Sequence, residues 1–380
     1  MSPVNGGNSG KDRSILRTQS GSARPGGVVA VTGTAAAFFA MERMGTMAEY
    51  DSAAAAARAP LPKLPELRDL VRYATLAANG HNTQPWKFRT SASQIAILPD
   101  FSRRTPAVDP DDHHLFVSLG CAAENLSLAA LATGFPGKLR FDPANDGSVV
   151  FEFAQGPRHP SAMFEAIRHR QSTRTDYDGR PVSTADLRSL AAAAAVPGID
   201  LLLITDRPTI NRIRDFVIAG NSMQMADRAF VQELKTWLRF SPRQAIDTGD
   251  GLFSAASGNP AVPAWLGPQV FDWFFSAKVQ NDKYARHIHS SAGVAVFVSE
   301  RDDADHWVRA GQTCLRFALQ ATALGLKHAF INQPVEVASL RPEIAALAGM
   351  PGRRPDIVMR FGYGPALPYS ARRPIASITA

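Results

Sequence analysis

The chain has 380 residues, 45% hydrophobic and 20% charged, enough to bury one large core or two of ordinary size. A formal net charge of +7 and a pI near 9.6 suit an anionic ligand, yet the basic excess is spread out and no basic run interleaves with aromatics, which argues against a nucleic-acid surface. Its two cysteines, Cys121 and Cys314, lie far apart in sequence and outside any Cys-x-x-Cys pair, so neither a disulfide framework nor a cysteine metal site is indicated and redox chemistry must come from a cofactor.

Residues 1–60 read as a signal-like or disordered segment. Lys11, Arg13, Arg17 and Arg24 precede an apolar run, Val28 to Met41, of the length of a signal h-region, and the small residues from Ser52 to Ala59 could hold a cleavage site. The segment resembles a degenerate twin-arginine signal without the adjacent arginine pair; a disordered tail whose apolar part packs on the domain is the alternative. Cytoplasmic and exported locations both stay open.

From Leu61 to Ala78 the apolar positions Leu64, Leu67, Leu70, Val71, Ala74 and Ala78 keep a helical period. Then comes Asn79-Gly80-His81-Asn82-Thr83-Gln84-Pro85-Trp86, where Pro85 forces extension before a strand. In an extended backbone the amides of Asn82 and Gln84 would point the same way and offer donors and acceptors to a flat, polar-edged ring. An amide-rich helix cap with a buried tryptophan is the plainer alternative. Further on, Asp109 to His114 could suggest a metal, but Asp and Pro also suit a helix start, and no third cluster supports an ion.

Two stretches repeat. Gly120 and Gly134 stand fourteen apart, as do Gly311 and Gly325, and each pair frames a small-residue helix that ends at a glycine. Upstream, Glu66-Leu67-Arg68-Asp69-Leu70 echoes Asp186-Leu187-Arg188-Ser189-Leu190. From echo to glycine takes 53 residues in the first copy (120 − 67) and 124 in the second (311 − 187), so the second carries about 71 extra. Strands are expected at Gln94 to Leu98, Val149 to Phe153, Ile199 to Ile204, Gly293 to Ser299, His328 to Ile331 and Asp356 to Phe361, which with the helices gives an α+β or α/β sandwich. The domains follow as 61–160 and 161–380, with the insertion mainly at 230–285. Its stretch 241–269 is rich in glycine and proline, a composition that resists regular structure. Trp265, Phe271, Trp273, Phe274 and Phe275 end it, too many aromatics to leave in water, so a lid is expected, or else a loop over the duplicated core.

The second half opens with Arg168, Arg170, Ser172 and Arg174, and the chain closes with Arg372 and Arg373 after a Gly362-Tyr363-Gly364 turn. Such permanently charged, bidentate donors are what a phosphate dianion needs. No glycine-rich dinucleotide fingerprint follows a strand.

Taken in order, Asn79-x-x-Asn82-x-Gln84-Pro85-Trp86, Arg170-x-Ser172-x-Arg174 and the Met359 to Pro374 close resemble the motifs of the nitroreductase superfamily, in its fused two-domain Acg type, from about residue 61 onward. That resemblance implies an α+β, duplicated nitroreductase-like fold, an intramolecular pseudo-dimer with a mixed sheet flanked by helices, in which one chain equals one family dimer and could be a monomer. It implies FMN as cofactor and NAD(P)H as co-substrate. Asn82, Gln84 and Pro85 would lie at the ring, Arg170, Ser172, Arg174, Arg372 and Arg373 at the phosphate, and Asn332 and Gln333 where the backbone passes the flavin N5 edge. No catalytic side chain and no metal are implied, because the flavin carries the chemistry. Only the first half has the amide motif and only the second the arginines, so one FMN per chain is expected. The function implied is reduction of a nitroaromatic, quinone or similar small acceptor, with flavin sequestration under the lid as the alternative. A third reading is a partner-binding module that lost its flavin.

Overall fold

The computed structural model describes residues 44–380 apart from residue 145. The basic and apolar part of the signal-like reading, residues 1–43, lies outside the described residues. The rest of that segment is not a tail. Helix α1 (Met47–Ala57) starts at a capping box between Thr46 and Glu49, and Tyr50 is buried with its ring 4.5 Å from Phe253.

In the first half, α2 (Leu67–Thr75) leads to β1 (Trp86–Thr90), β2 (Gln94–Pro99), α3 (His113–Thr133), β3 (Gly137–Asp142), β4 (Ser148–Phe153) and the short α4 (Ala162–Ala166). In the second, α5 (Thr184–Ala193) and β5 (Ile199–Ile204) are followed by an insertion, then by β8 (Gly293–Ser299), α11 (Ala304–Ala323), β9 (Lys327–Phe330), α12 (Gln333–Glu336), α13 (Arg341–Leu347) and β10 (Pro355–Gly362). The insertion holds α6 (Arg207–Ala226), α7 (Arg228–Trp237), β6 (Leu238–Arg239), α8 (Pro242–Thr248), β7 (Leu252–Phe253), α9 (Gly267–Phe274) and α10 (Ala277–His289).

The two four-stranded sheets run β1-β2-β4-β3 and β5-β8-β10-β9, the same order once β1, β2, β3 and β4 are matched to β5, β8, β9 and β10. Every pairing within them is antiparallel. The sheets become mixed only at edges, where Thr379 bridges Phe88 and Ser172 bridges His328 in parallel. Between β1 and β2 lie residues 91–93; between β5 and β8 lie residues 205–292. The insertion is therefore wider than the expected 230–285, and the stretch 241–269 is built of short capped elements: Ser241 caps α8, and Gly249 ends it at a φ of 64°.

Helices α3 and α11 pack against each other at the centre through their glycines. A Cβ on Gly120 would lie 1.9 Å from the Val308 carbonyl oxygen, and a Cβ on Gly311 would lie 2.0 Å from that of Val117. Each glycine thus meets the carbonyl three residues before the other, a reciprocal contact of the kind that approximate two-fold symmetry produces. Gly134 and Gly325, at φ 94° and 76°, follow the same helices' last turns.

Candidate functional site

The amide motif does not run extended. His81, Asn82 and Gln84 take φ values of 46°, 53° and 53°, in the left-handed region that non-glycine residues enter only when the surroundings hold them there. The holding groups are visible. Asn82 donates to the carbonyls of Gly251 (3.1 Å) and Ala371 (3.2 Å) and accepts from Arg372 (3.0 Å). Gln84, fully buried, donates to the Gly249 carbonyl (2.8 Å) and accepts from the Arg373 amide (2.9 Å). Pro85 is buried and its carbonyl accepts from Asp100 (3.0 Å). Asn82, Gln84 and Pro85, expected at a ring, lock the insertion and the 371–373 segment to the first half, and none of the three lines the cavity beside them.

That cavity, about 230 Å³, is floored by Asn79, Gly80 and His81, by His114, Val117 and Cys121 of α3, and by the end of β9 with Asn332 and Gln333. Its other walls are Arg174 and the insertion, through Phe230 and Leu234 of α7, Phe275, and Lys283, Tyr284 and His287 of α10. Phe275 stacks on buried Phe271, ring centres 4.3 Å apart, whereas Trp265, Trp273 and Phe274 are 68–70% exposed. The aromatic cluster expected to cover a ligand therefore splits, part lining the cavity and part facing water.

Several polar atoms here have no partner among the described residues. They include His81 Nδ1 and Gln333 Oε1 in the cavity lining. Burial and the charge of Arg174 push the His81 imidazole down to about 4, so it is neutral at ordinary pH. Lys283 is held down to about 8 by burial and by Arg174, Arg286 and Arg360, and His287 to about 3 by burial and the same cations. Arg360 itself is spent on structure: it donates to the carbonyls of His287, Thr173 and Thr175 and stacks 4.0 Å from the Tyr177 ring, fixing the segment that carries Arg174.

A second set of cations lies behind the His81 turn. Arg58 and Arg170 are buried, and Arg58 Nε with Arg170 Nε and Nη1 find no partner among the described residues. Burial and the nearby Arg170 push Arg58 down to about 10; Arg372, half-buried and facing both, is held well below its ordinary range by desolvation and those two cations. The groups acting on these three are one another, tyrosines and cysteines, with no carboxylate. Buried unpaired cations with idle donors are costly and call for an anion. Arg372 also donates to the carbonyls of Thr75, Leu76 and Ala77, closing the end of α2. Arg373 is elsewhere, on the Gln84 and Ser377 carbonyls and 3.8 Å from Asp100. Arg373, expected at a phosphate, thus has Asp100 as its nearby counter-charge.

Asp109, His113 and His114 come within ion-binding distance of one another, as do Asp303, Asp305 and His306. In both groups an aspartate caps a core helix: Asp109 accepts from the amides of His114 and Leu115 (3.0 Å each), and Asp303 from that of His306 (3.0 Å). His113 is spent on the buried Asp356 (2.9 Å).

Sequence reasoning missed Arg58, Lys283, His81 and Cys121. Arg58 falls in the segment read as signal-like or disordered and Lys283 in the insertion, so no motif marks either; His81 stands inside the amide motif without being one of its amides.

No family model matches the chain. It is 26% identical over 339 residues to "Putative NAD(P)H nitroreductase Rv3131" of Mycobacterium tuberculosis H37Rv, covering 85% of this chain and 94% of that one. A second protein named in the same way, acg, from that strain is 24% identical over 330 residues, covering 82% and 94%. Among solved structures, a nitroreductase with bound FMN from Desulfitobacterium hafniense DCB-2 overlaps 58% of this chain and 99% of its own, at 14% identity and a TM-score of 0.38, too partial to carry weight.

Proposed function

We propose that this chain, a member of the nitroreductase superfamily, is an oxidoreductase that holds one FMN between its two halves and passes electrons from NAD(P)H to a small acceptor such as a nitroaromatic or a quinone. The observation that carries this reading is the buried pair Arg58 and Arg170, faced by Arg372: Arg58 Nε and Arg170 Nε and Nη1 have no partner among the described residues and no carboxylate acts on the three, which fits a phosphate. Near-full-length similarity to proteins named NAD(P)H nitroreductases agrees with it.

FMN, when bound, supplies the hydride chemistry that links NAD(P)H to the acceptor. The chain's own groups hold, orient and shield. Arg58 and Arg170 would grip the phosphate, with Ser172 half-buried beside them. Arg174, His81 and Gln333 line the adjoining cavity and would meet the polar ring edges, the neutral imidazole and the free amide oxygen offering hydrogen bonds at no charge cost. Asn332 gives its side-chain oxygen to the Val358 amide (3.0 Å) and so sets the backbone of the cavity wall. The insertion excludes water from one side. One chain would then do the work of a family dimer.

Sequestration of the flavin is the second reading, favoured by one observation: Gln84 and Asn82 bolt the insertion down at the Gly249 and Gly251 carbonyls. Purified protein, reconstituted with FMN and mixed anaerobically with NADH or NADPH, separates the readings. Rapid bleaching at one flavin per chain is the expected result; bound flavin that neither nucleotide bleaches leaves sequestration, and a chain that takes up no flavin ends both.

A further inference from the structure

Cys121 and Cys314 stand 193 residues apart in sequence (314 − 121), yet the fold brings them together. Cys121 lies on α3 and Cys314 on α11, where the reciprocal glycines draw the two helices closest. The Cys121 Sγ donates to the Gly311 carbonyl at 3.2 Å, one turn before Cys314, and Cys121 is the neighbour that acts most strongly on the Cys314 thiol. Both are free and buried. Cys121 also lines the cavity. The charged group that faces the pair is Arg170, with two N–H donors unpartnered among the described residues. The copy symmetry does not require this pairing: counted from Gly120 and Gly311, Cys121 corresponds to Gln312 and Cys314 to Ala123.

We propose that Cys121 and Cys314 form a reversible dithiol/disulfide couple that exchanges two electrons with the flavin ring held in the adjoining cavity. The inference rests on the flavin reading above for its electron partner. Forming the couple's oxidised state breaks two S–H bonds and makes one S–S bond; the oxidised ring takes up two electrons and one proton, and the second proton leaves to water. Reduction runs the same balance backward. The arrangement has the ingredients of a redox pair: two buried thiols at the closest approach of the two helices, Cys121 on the carbonyl one turn before Cys314, a nearby guanidinium to offset thiolate charge, and an acceptor site on one side. The facing Cys121 sulfur and burial raise the Cys314 thiol well above its ordinary range, so bulk reagents meet an unreactive, protonated thiol. An oxidant in the cavity does not have to reach it from solvent. Once made, the disulfide would tie the central helices of the two halves together.

Full-length FMN-loaded protein tests this in two measurements. Alkylation under denaturing conditions, read by mass, should find both thiols after dithiothreitol and neither after anaerobic incubation with the bound flavin kept oxidised by ferricyanide. Anaerobic dithionite titration should consume four electrons per flavin in the oxidised wild type and two in Cys314→Ser and Cys314→Ala. Two alkylated thiols under every condition, including diamide, would overturn the couple, as would two electrons per flavin in the wild type. A disulfide that diamide makes in protein free of flavin, but bound flavin never makes, overturns the electron exchange. If the chain takes up no flavin, that failure belongs to the reading above, and the diamide arm still decides whether the thiols can join.

Discussion

The approximate two-fold that relates the halves also relates two clefts, and they have diverged. His114, Val117 and Cys121 of the first cleft stand six and three before and one after Gly120; Asp305, Val308 and Gln312 of the second stand at the same offsets from Gly311. Ala329 to Ile331 on one side answer to Leu139 to Phe141 on the other, from β9 and the matching β3. The first, about 230 Å³, is walled by the insertion and by Arg174; the second, about 520 Å³, has neither. Its arginines are engaged, Arg309 on Asp305 (2.5 Å) and Arg140 near Asp142 and Glu152. Duplication copied the shape of a cleft, whereas the chemistry came from segments present once: residues 170–174, residues 205–292 and the turn at 79–84.

The shared shape is tested most severely at its hinge. Gly120→Val and Gly311→Val should each cost about 3 kcal/mol or more, since the helices must separate to admit a side chain. The two losses should match within experimental error in urea melts. A benign substitution at either glycine would break the symmetry claim, and Gly80→Ala, with nothing within 4 Å of the new Cβ, serves as the neutral control.

Next come the clefts' cations. Arg170→Ala should lower FMN affinity at least roughly tenfold, the worth of about one charged hydrogen bond. Arg140→Ala in the second cleft should leave it unchanged within about twofold. Fluorescence titration checks both, and an equal loss in the two variants would mean that the clefts have not diverged. Gln84→Ala leaves the Gly249 carbonyl and the Arg373 amide unpaired, at about 1–3 kcal/mol of stability. Flavin colour should not change, because Gln84 does not line the cavity. A shifted visible spectrum with unchanged melting would restore Gln84 to the ring.

The smallest effect is a proton. The Lys283 ammonium is depressed from 10.5 to about 8, so in the ligand-free chain its contribution to stability is present above about 10.5 and is lost as pH falls through about 8. A bound anion raises it again. FMN binding near pH 9 should therefore take up protons, read as a dependence of calorimetric heat on buffer ionisation enthalpy, and Lys283→Met should abolish the dependence.

The duplicated scaffold was legible because glycine spacing survives where side chains do not: Gly120 with Gly134, and Gly311 with Gly325, carry backbone demands that only glycine meets. Most strands were legible from their apolar runs, but β3, with Lys138 and Arg140 on an exposed edge, has no such run. The site was harder. Asn82 and Gln84 do have partners, but an expectation built on an extended backbone pointed them at a ligand, and three left-handed residues within four positions cannot be read from propensity. Arg58 and Lys283 are brought to the site by packing alone, from opposite ends of the chain, and nothing local foretells that.

The parallel edge on the first sheet has a consequence for synthesis. Phe88 donates to the Ile378 carbonyl (2.7 Å) and accepts from the Ala380 amide (2.9 Å), so the partner of β1 is made some 290 residues after it (378 − 88). At a usual elongation rate of about 5–20 residues per second, β1 waits on the order of tens of seconds with one edge unpaired. Its exposed Lys87 and Arg89 suit that interval, because charge on a bare edge discourages pairing with other nascent chains.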